Sequence, residues 1–561
     1  MKKKNNLWMT ISLVLVLVLT LSACSGGNNG NNSGNNAGND AGNKDEGTNS
    51  DTVAGPVILD TFISVGPRIE DINTNVVTKH IEETTNIKFE FDATPDVNAD
   101  DKRKLIMASA DYPSVFLSGN FTQAEQIDYG QQGVLLPLND LIDQYGSEIN
   151  RAFDEDPTLR TAITAPDGNI YALPHINDCF HCWYSQKMWI NKAWLDKLGL
   201  DIPTTTEEFY NVLKAFKTQD PNGNGKADEI PLTGAYGTWH GLPYHFLMNS
   251  FEYDDEDNYF TVKDGKVDLA AIQPGWRQGL EYNNRLFEEG LVDMEAFTQN
   301  NDALTQIGNR EGDNIIGAVS VGHIGMAFNV YEGQTRHKDY VSLAPLTGPS
   351  GIAYAGLFKG YGNGQFAITN KSTEEQQIAA IKMADYMWSE EFAVVNEYGL
   401  KGTYWEEAPA GETDVHGNQA KYKLTPAFFE IGSTLNDHWD QMGITRRTRA
   451  VRESWVAPKD PLSQEGFEYR LFLETANNYE NKEPKEVYPP AIFLDVAKAK
   501  EVNMIKPSLK DYIESNMAQF ITGSRKLNDD EWNKYVEGFE GLKLPAFLET
   551  YQEAYDRTQG N

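Results

Sequence analysis

The stretch from residue 57 to 117 constrains the fold more than any other. Apolar, β-prone runs at 57–62 (Val-Ile-Leu-Asp-Thr-Phe), 88–91 (Lys-Phe-Glu-Phe) and 114–117 (Ser-Val-Phe-Leu) alternate with amphipathic segments at 75–86 and 101–109. A β-α-β-α-β order sets the strands parallel, because each helix carries the chain back across a face of the sheet. The alternation continues down the chain. Residues 138–145 read as helix and 170–174 and 185–190 as extended runs. Pro203-Thr-Thr-Thr206 caps a helix over 207–218, and 276–290 is a long amphipathic helix. Runs 324–329 and 341–344 predict strands, and 373–388 and 391–397 helices. Residues 404–490 are irregular and rich in aromatics. Helices are predicted over 492–502, 508–519, 529–540 and 544–557. The class is α/β with a helical C-terminus and no internal repeat.

The first 55 residues do not belong to that body. Lys2, Lys3 and Lys4 precede an apolar run at 11–21 and then Ser22-Ala23-Cys24, which is the pattern of a secretory signal. The run is shorter than the roughly 20 residues a membrane span needs. Leu21-Ser22-Ala23-Cys24 resembles the lipobox of bacterial lipoproteins. That resemblance implies a signal peptide at 1–23, a diacylglyceryl thioether on Cys24, and a chain lipid-anchored at the extracellular face of the cell membrane. Two acyl chains hold where one does not. Residues 24–55 are nearly all Gly, Asn, Ser and Ala, and such a segment stays disordered as a tether. A coil of about 30 residues spans roughly 30 Å.

From 56 onward the chain is long enough for two or three cores. It is acidic, with 82 Asp and Glu against 48 Lys and Arg and a net charge of −34. Losing the three leader lysines makes the mature chain more acidic still. This argues against nucleic acid as a partner, since phosphate binding needs clustered cations. With Cys24 lipidated, Cys179 and Cys182 remain. A disulfide, two free thiols and a metal or redox pair are all open readings of Cys179-Phe-His-Cys182.

Several short runs, in this order, carry a family resemblance. They are Ala110-Asp111-Tyr112-Pro113, Tyr171-Ala172-Leu173-Pro174, Met188-Trp189-Ile190-Asn191-Lys192-Ala193-Trp194-Leu195 with Gly199, and Pro203-Thr204-Thr205-Thr206. Phe520-Ile521-Thr522-Gly523 and Tyr551-Gln552-Glu553-Ala554-Tyr555 follow near the end. Together they resemble the family 1 extracellular solute-binding proteins of ABC importers, in particular the larger LipO-like lipoproteins of Gram-positive bacteria. The resemblance implies a two-lobed, periplasmic-binding-protein-like fold with a hinge and an interlobe cleft. Lobe 1 would take 56–176 and 350–402, and lobe 2 would take 177–349 and 403–561. It implies a non-catalytic receptor that closes on an oligosaccharide and delivers it to the transmembrane subunits of an ABC permease.

A second motif is Asp220-Pro-Asn222-Gly-Asn224-Gly225-Lys226-Ala-Asp228-Glu229-Ile-Pro231. Oxygen-bearing side chains at alternate positions around a glycine suit Ca²⁺. Asp220, Asn222 and Asn224 supply side-chain oxygens and Lys226 its carbonyl. The twelfth position is Pro231 rather than the Glu of an EF-hand, so Asp228 or Glu229 must complete the set. The other reading is an Asn-Gly surface turn.

Sugars are held by aromatic faces and a few polar groups. Trp183, Tyr184, Trp239, His240, Trp405, Trp439 and Trp455 lie in loops or near the predicted crossover and are candidate contacts, with Asp111 and Asn120 as polar partners; the other reading of each loop Trp is a surface cap or core edge. Trp189, Trp194 and Trp388 suit a core instead. Arg447 stands among Arg446, Arg449 and Arg452, a local cationic cluster that suits a uronate or simply balances acidic neighbours. An extracellular glycoside-active enzyme and a surface scaffold are the rival classes. The sequence has no Gly-x-Ser-x-Gly elbow, His-Glu-x-x-His motif or Walker loop.

Overall fold

The computed structural model describes residues 55–559 apart from Ser433 and Pro490. The signal, Cys24 and nearly all of the tether lie outside the described residues. Strands β1 (Val57–Val65), β2 (Ile87–Pro95) and β3 (Val115–Phe121) run parallel, with β1 between the other two. The helix Val76–Thr85 between β1 and β2 starts where the Asn75 side chain accepts the Val77 N–H, and it stops at Asn86 in the left-handed region. The short β4 (Leu173–Pro174) and β5 (Ile176–Asn177) then lead out of the first sheet.

The second sheet holds β6 (Met188–Asn191) and β7 (Ile230–Thr233). Between them the helix Thr206–Thr218 opens on a capping box, Thr205 with Glu208. A hairpin, β8 (Phe260–Lys263) and β9 (Lys266–Leu269), follows. Strands β10 (Ile316–Ser320) and β11 (Tyr340–Leu343) complete the sheet in the order β11-β6-β10-β7, with β7 and β10 parallel. Strand β12 (Gly364–Ile368) returns to the first sheet, antiparallel between β3 and β4. A small hairpin of β13 (Trp405–Glu407) and β14 (Tyr422–Leu424) precedes β15 (Arg446–Arg447), which pairs with β5. The two sheets have separate cores, one around Leu59, Ile63, Val115, Leu117 and Ile368, the other around Ile190, Leu213, Phe216, Leu232 and Ala318. The molecule is therefore two α/β lobes.

Three expectations change. The strand expected at 324–329 is β10, eight residues earlier, and Ile324–Met326 is a 3₁₀ turn. Gly317 weakens that run in the sequence, but a Cβ there would meet the Phe216 ring at 2.5 Å and the Pro231 carbonyl oxygen at 2.8 Å. Only glycine lets the helix and neighbouring strand approach so closely. The helices expected at 492–502 and 508–519 are one helix, Val496–Thr522, with Pro507 inside it. An internal proline costs about 3 kcal/mol. Ala499, Val502, Leu509, Ile513 and Met517 bury one face on both sides of it and offset that cost. Finally, Leu435, Trp439 and Ile444 pack in the first lobe's core. Residues 403–561 thus do not all belong to lobe 2, because the chain comes back to the first sheet before β15 pairs with β5.

Candidate ligand-binding site

Where strands run parallel, the loops after their carboxyl ends make the binding edge. In the second sheet β7 and β10 end side by side at Thr233 and Ser320. The loop after β7 carries Tyr236, Trp239 and His240, and the loop after β10 carries His323. Trp239 is 38 % exposed. Its ring centroid lies 5.7 Å from His240 and 6.1 Å from His323. His240 lies 4.2 Å from Phe358, and His323 lies 5.5 Å from Phe467. The Gly322 N–H donates to the Trp239 carbonyl at 2.9 Å, and a Cβ on Gly322 would strike the indole at 2.4 Å. The glycine therefore sets how close the two loops come.

The charges behind this edge are fixed. Glu256 Oε1 lies 3.0 Å from His240 Nδ1 and accepts from Gln186 Nε2 at 2.7 Å. Burial opposes ionisation of Glu256, but His245 and His240 outweigh it and hold the carboxyl at about 2. Burial pushes His323 down to about 4, so its imidazole is neutral at physiological pH.

The first sheet's edge adds amides. Asn120, near the end of β3, donates to Asp100 at 3.1 Å and accepts from Asn363 at 3.0 Å, and its own N–H donates to Gln365 at 3.2 Å. Ser118 and Asn120 both hold positive φ, 88° and 48°. Such strain collects at functional positions. Beside them Gln123, Gln126, Pro174, Tyr361 and Phe493 line a shallow depression.

Between the edges the chain crosses at β5 and β15. Cys179 and Cys182 form a disulfide, which settles the three readings left open by the sequence. It closes a single helical turn, Phe180–Trp183, in which the Trp183 N–H donates to the Cys179 carbonyl at 3.0 Å. Buried Lys187 donates to the carbonyls of His181, at 2.8 Å, and Tyr184, and burial pushes its ammonium down to about 7. Trp183 is half-buried, with Lys359 Nζ 4.7 Å from its ring centroid.

Trp239, His240, Trp183 and Asn120 thus stand at the edges or the crossover; of the other candidates, Tyr184 and Arg447 lie at the crossover but turn inward, and the rest lie elsewhere. Trp439 is fully buried and its Nε1 donates to Thr78 Oγ1 at 2.9 Å. Trp405 is buried and donates to the Gly399 carbonyl at 2.8 Å. Trp455 packs at a tilt between Tyr398 and Tyr422, at 4.4 and 5.2 Å. Tyr184 turns inward to Glu483 at 2.9 Å. Arg447 is buried against Glu397. Asp111 precedes β3 and so lies at the amino end of the strand, away from the binding edge. Trp189, Trp194 and Trp388 are in cores as expected. Sequence reasoning missed His323, Phe358, Phe467 and Tyr361. A correct placement of β10 would have pointed to His323, and the glycine-rich run 356–364 to Phe358 and Tyr361.

The 220–229 loop sits at the amino end of β7, remote from Trp239. Asp220 accepts from the N–H groups of Gly223, Asn224 and Gly225 at 2.9–3.1 Å. The Asn222 and Asn224 amides donate to Asp228 at 3.1 Å, and the Lys226 N–H donates to Asn224 Oδ1 at 2.8 Å. Glu229 Oε1 is buried without a hydrogen-bond partner, and burial together with the charges of Asp220 and Asp228 raises its carboxyl above the usual range. An orphaned carboxylate oxygen among crowded acids is what a hard cation relieves, so these residues fit Ca²⁺.

Known proteins share this architecture. FusA, the fructooligosaccharide ABC transporter substrate-binding protein of Streptococcus pneumoniae, is 27 % identical over 516 residues, 88 % of each chain. Lipoprotein LipO of Bacillus subtilis is 26 % identical over 337 residues, 58 % of this chain and 63 % of its own. The structure of FusA with kestose superposes with a TM-score of 0.73 at 26 % identity, covering 90 % of this chain and all of that one, and an EF-hand mutant of FusA with fructo-nystose gives the same figures. Residues 72–393, more than half of the chain, match the family model itself, and this protein belongs to the bacterial extracellular solute-binding proteins.

Proposed function

We propose that the chain is a lipid-anchored receptor that captures an oligosaccharide between its lobes and passes it unchanged to the transmembrane subunits of an ABC permease. The observation that carries this reading is the half-open Trp239–His240–His323 surface at the carboxyl ends of β7 and β10. Aromatic rings of this kind stack on sugar faces. The amides near Asn120 suit hydroxyl groups, and a hinge motion brings the two edges together. The oligosaccharide named for FusA supports the class of ligand. The lipid would sit on Cys24. Ca²⁺ would bind through Asp220, Asn222, Asn224, the Lys226 carbonyl, Asp228 and Glu229, holding lobe 2 together without touching the ligand.

The test is calorimetric and thermal titration of the purified protein with kestose and other oligosaccharides. A rise in Tm with the sugar recovered intact is the expected result. Cleavage of the sugar, or no response to any oligosaccharide, refutes the reading. Chelation of calcium is expected to lower Tm, since an ion present at 100 times its Kd adds about 2.7 kcal/mol. An unchanged Tm rules out the calcium site.

A further inference from the structure

We infer that the ligand is a neutral oligosaccharide and that uronate chains are refused; this rests on the oligosaccharide reading above. Arg446, Arg447, Arg449 and Arg452 form a cluster that, from sequence, suits a carboxylate-bearing sugar. The structure leaves none of them open. Arg446 donates to Glu155 at 2.5 Å, and Arg447 pairs with Glu397. Arg449 donates to Glu453 at 2.6 Å while its guanidinium lies 3.9 Å from the centroid of the Phe180 ring. Arg452 donates to Asn177 at 3.0 Å and to Glu468 at 3.4 Å. At the first lobe, Arg68 meets Asp440 at 3.1 Å and Arg103 meets Glu125 at 3.0 Å. A uronate taken by any of these would displace a carboxylate, in places a shielded one.

The most exposed charged side chain of this cluster is an acid. Glu468 begins the helix Phe467–Asn478, next to the Phe467 ring that packs on His323 at the second edge. Its carboxylate lies 3.3 Å from His181 and 3.4 Å from Arg452, whose side chains are 10 % and 14 % exposed. Glu468 itself is 66 % exposed. It is held by the crossover on one side and open on the other. Surrounding protein opposes its ionisation, but His181, Arg452 and Arg447 outweigh that and hold its carboxyl well below the usual range. An ionised carboxylate accepts hydrogen bonds from sugar hydroxyls and repels a sugar acid. Exposed Lys359 lies over the Trp183 ring, and its charge acts on Asp156 and Asp178.

The experiment compares two panels by calorimetry on the calcium-loaded protein. The neutral panel is kestose, nystose, raffinose, xylotriose and maltotriose, and the acidic panel is trigalacturonate and trimannuronate. The expected result is a neutral binder at least 100-fold tighter than either uronate. A uronate bound as tightly as the best neutral sugar overturns this inference and leaves the oligosaccharide reading standing. Silence from both panels overturns both. Glu468→Gln, checked for an unchanged unliganded fold by circular dichroism, leaves Arg452 without its carboxylate partner and removes the repelling charge. Its neutral-over-uronate selectivity is expected to fall at least tenfold. A folded variant with unchanged selectivity refutes the role given to Glu468.

Discussion

The β7–β10 edge and the 404–456 segment are both rich in aromatic rings and charge, and they do opposite things. At the edge, Trp239 presents a half-open ring between two imidazoles, one of them neutral. In the 404–456 segment, Trp405 and Trp439 are buried with their N–H groups already donated, and Arg447 is buried on Glu397. Residue type does not separate binding from support. The separation comes from whether the backbone carries the side chain to the carboxyl edge of a sheet or returns it to a core where the indole N–H and the guanidinium find partners.

That contrast breaks most sharply at Arg447. Arg447→Met leaves the largely buried Glu397 without its cation, and breaking a buried pair costs about 3–5 kcal/mol. The expected result is a large fall in Tm with the kestose affinity of the folded protein unchanged. Affinity lost at constant Tm would move Arg447 into the binding site. Trp239→Ala is the mirror case. A stacked, partly exposed indole is worth about 2 kcal/mol to a ligand, or roughly 30-fold in Kd. Tm without ligand should hold, because the ring supports little of the core. Equal losses in Tm and affinity would show that Trp239 supports the fold as well.

Much of the fold was legible because it follows from periodicity and caps. The parallel β1–β2–β3 unit, the Thr205–Glu208 capping box and the Asn75 cap all stand where local chemistry puts them. Position 317 misled because its glycine answers to the Phe216 ring and the Pro231 carbonyl, which are remote in sequence. Pro507 misled because buried residues on both sides of it outweigh the missing hydrogen bond. The site was less legible still. Trp239 and Trp439 look alike in a loop of unknown direction, and only the Thr78 hydroxyl, 361 residues away, tells them apart. The arginine cluster reads as a binding patch until Glu155, Glu397 and Glu468 are brought to it from other parts of the chain.

The smallest effect sharpens the comparison from the opposite lobe. Asn120 holds φ at 48° beside Ser118 at 88°, and its side chain bridges Asp100 and Asn363 at the exposed rim. Asn120→Gly accepts the same backbone angle without a Cβ, so the variant loses only exposed hydrogen bonds and whatever the amide gives the ligand. One such hydrogen bond is worth about 1 kcal/mol, or roughly fivefold in Kd. The expected outcome is a fivefold weaker kestose complex with Tm unchanged or slightly higher. That pairing separates strain kept for binding from strain that merely shapes the strand. If the variant kept its full affinity, the left-handed turn in β3 would serve the sheet's edge alone, and the aromatic edge of the second lobe would carry the ligand without an amide partner from the first.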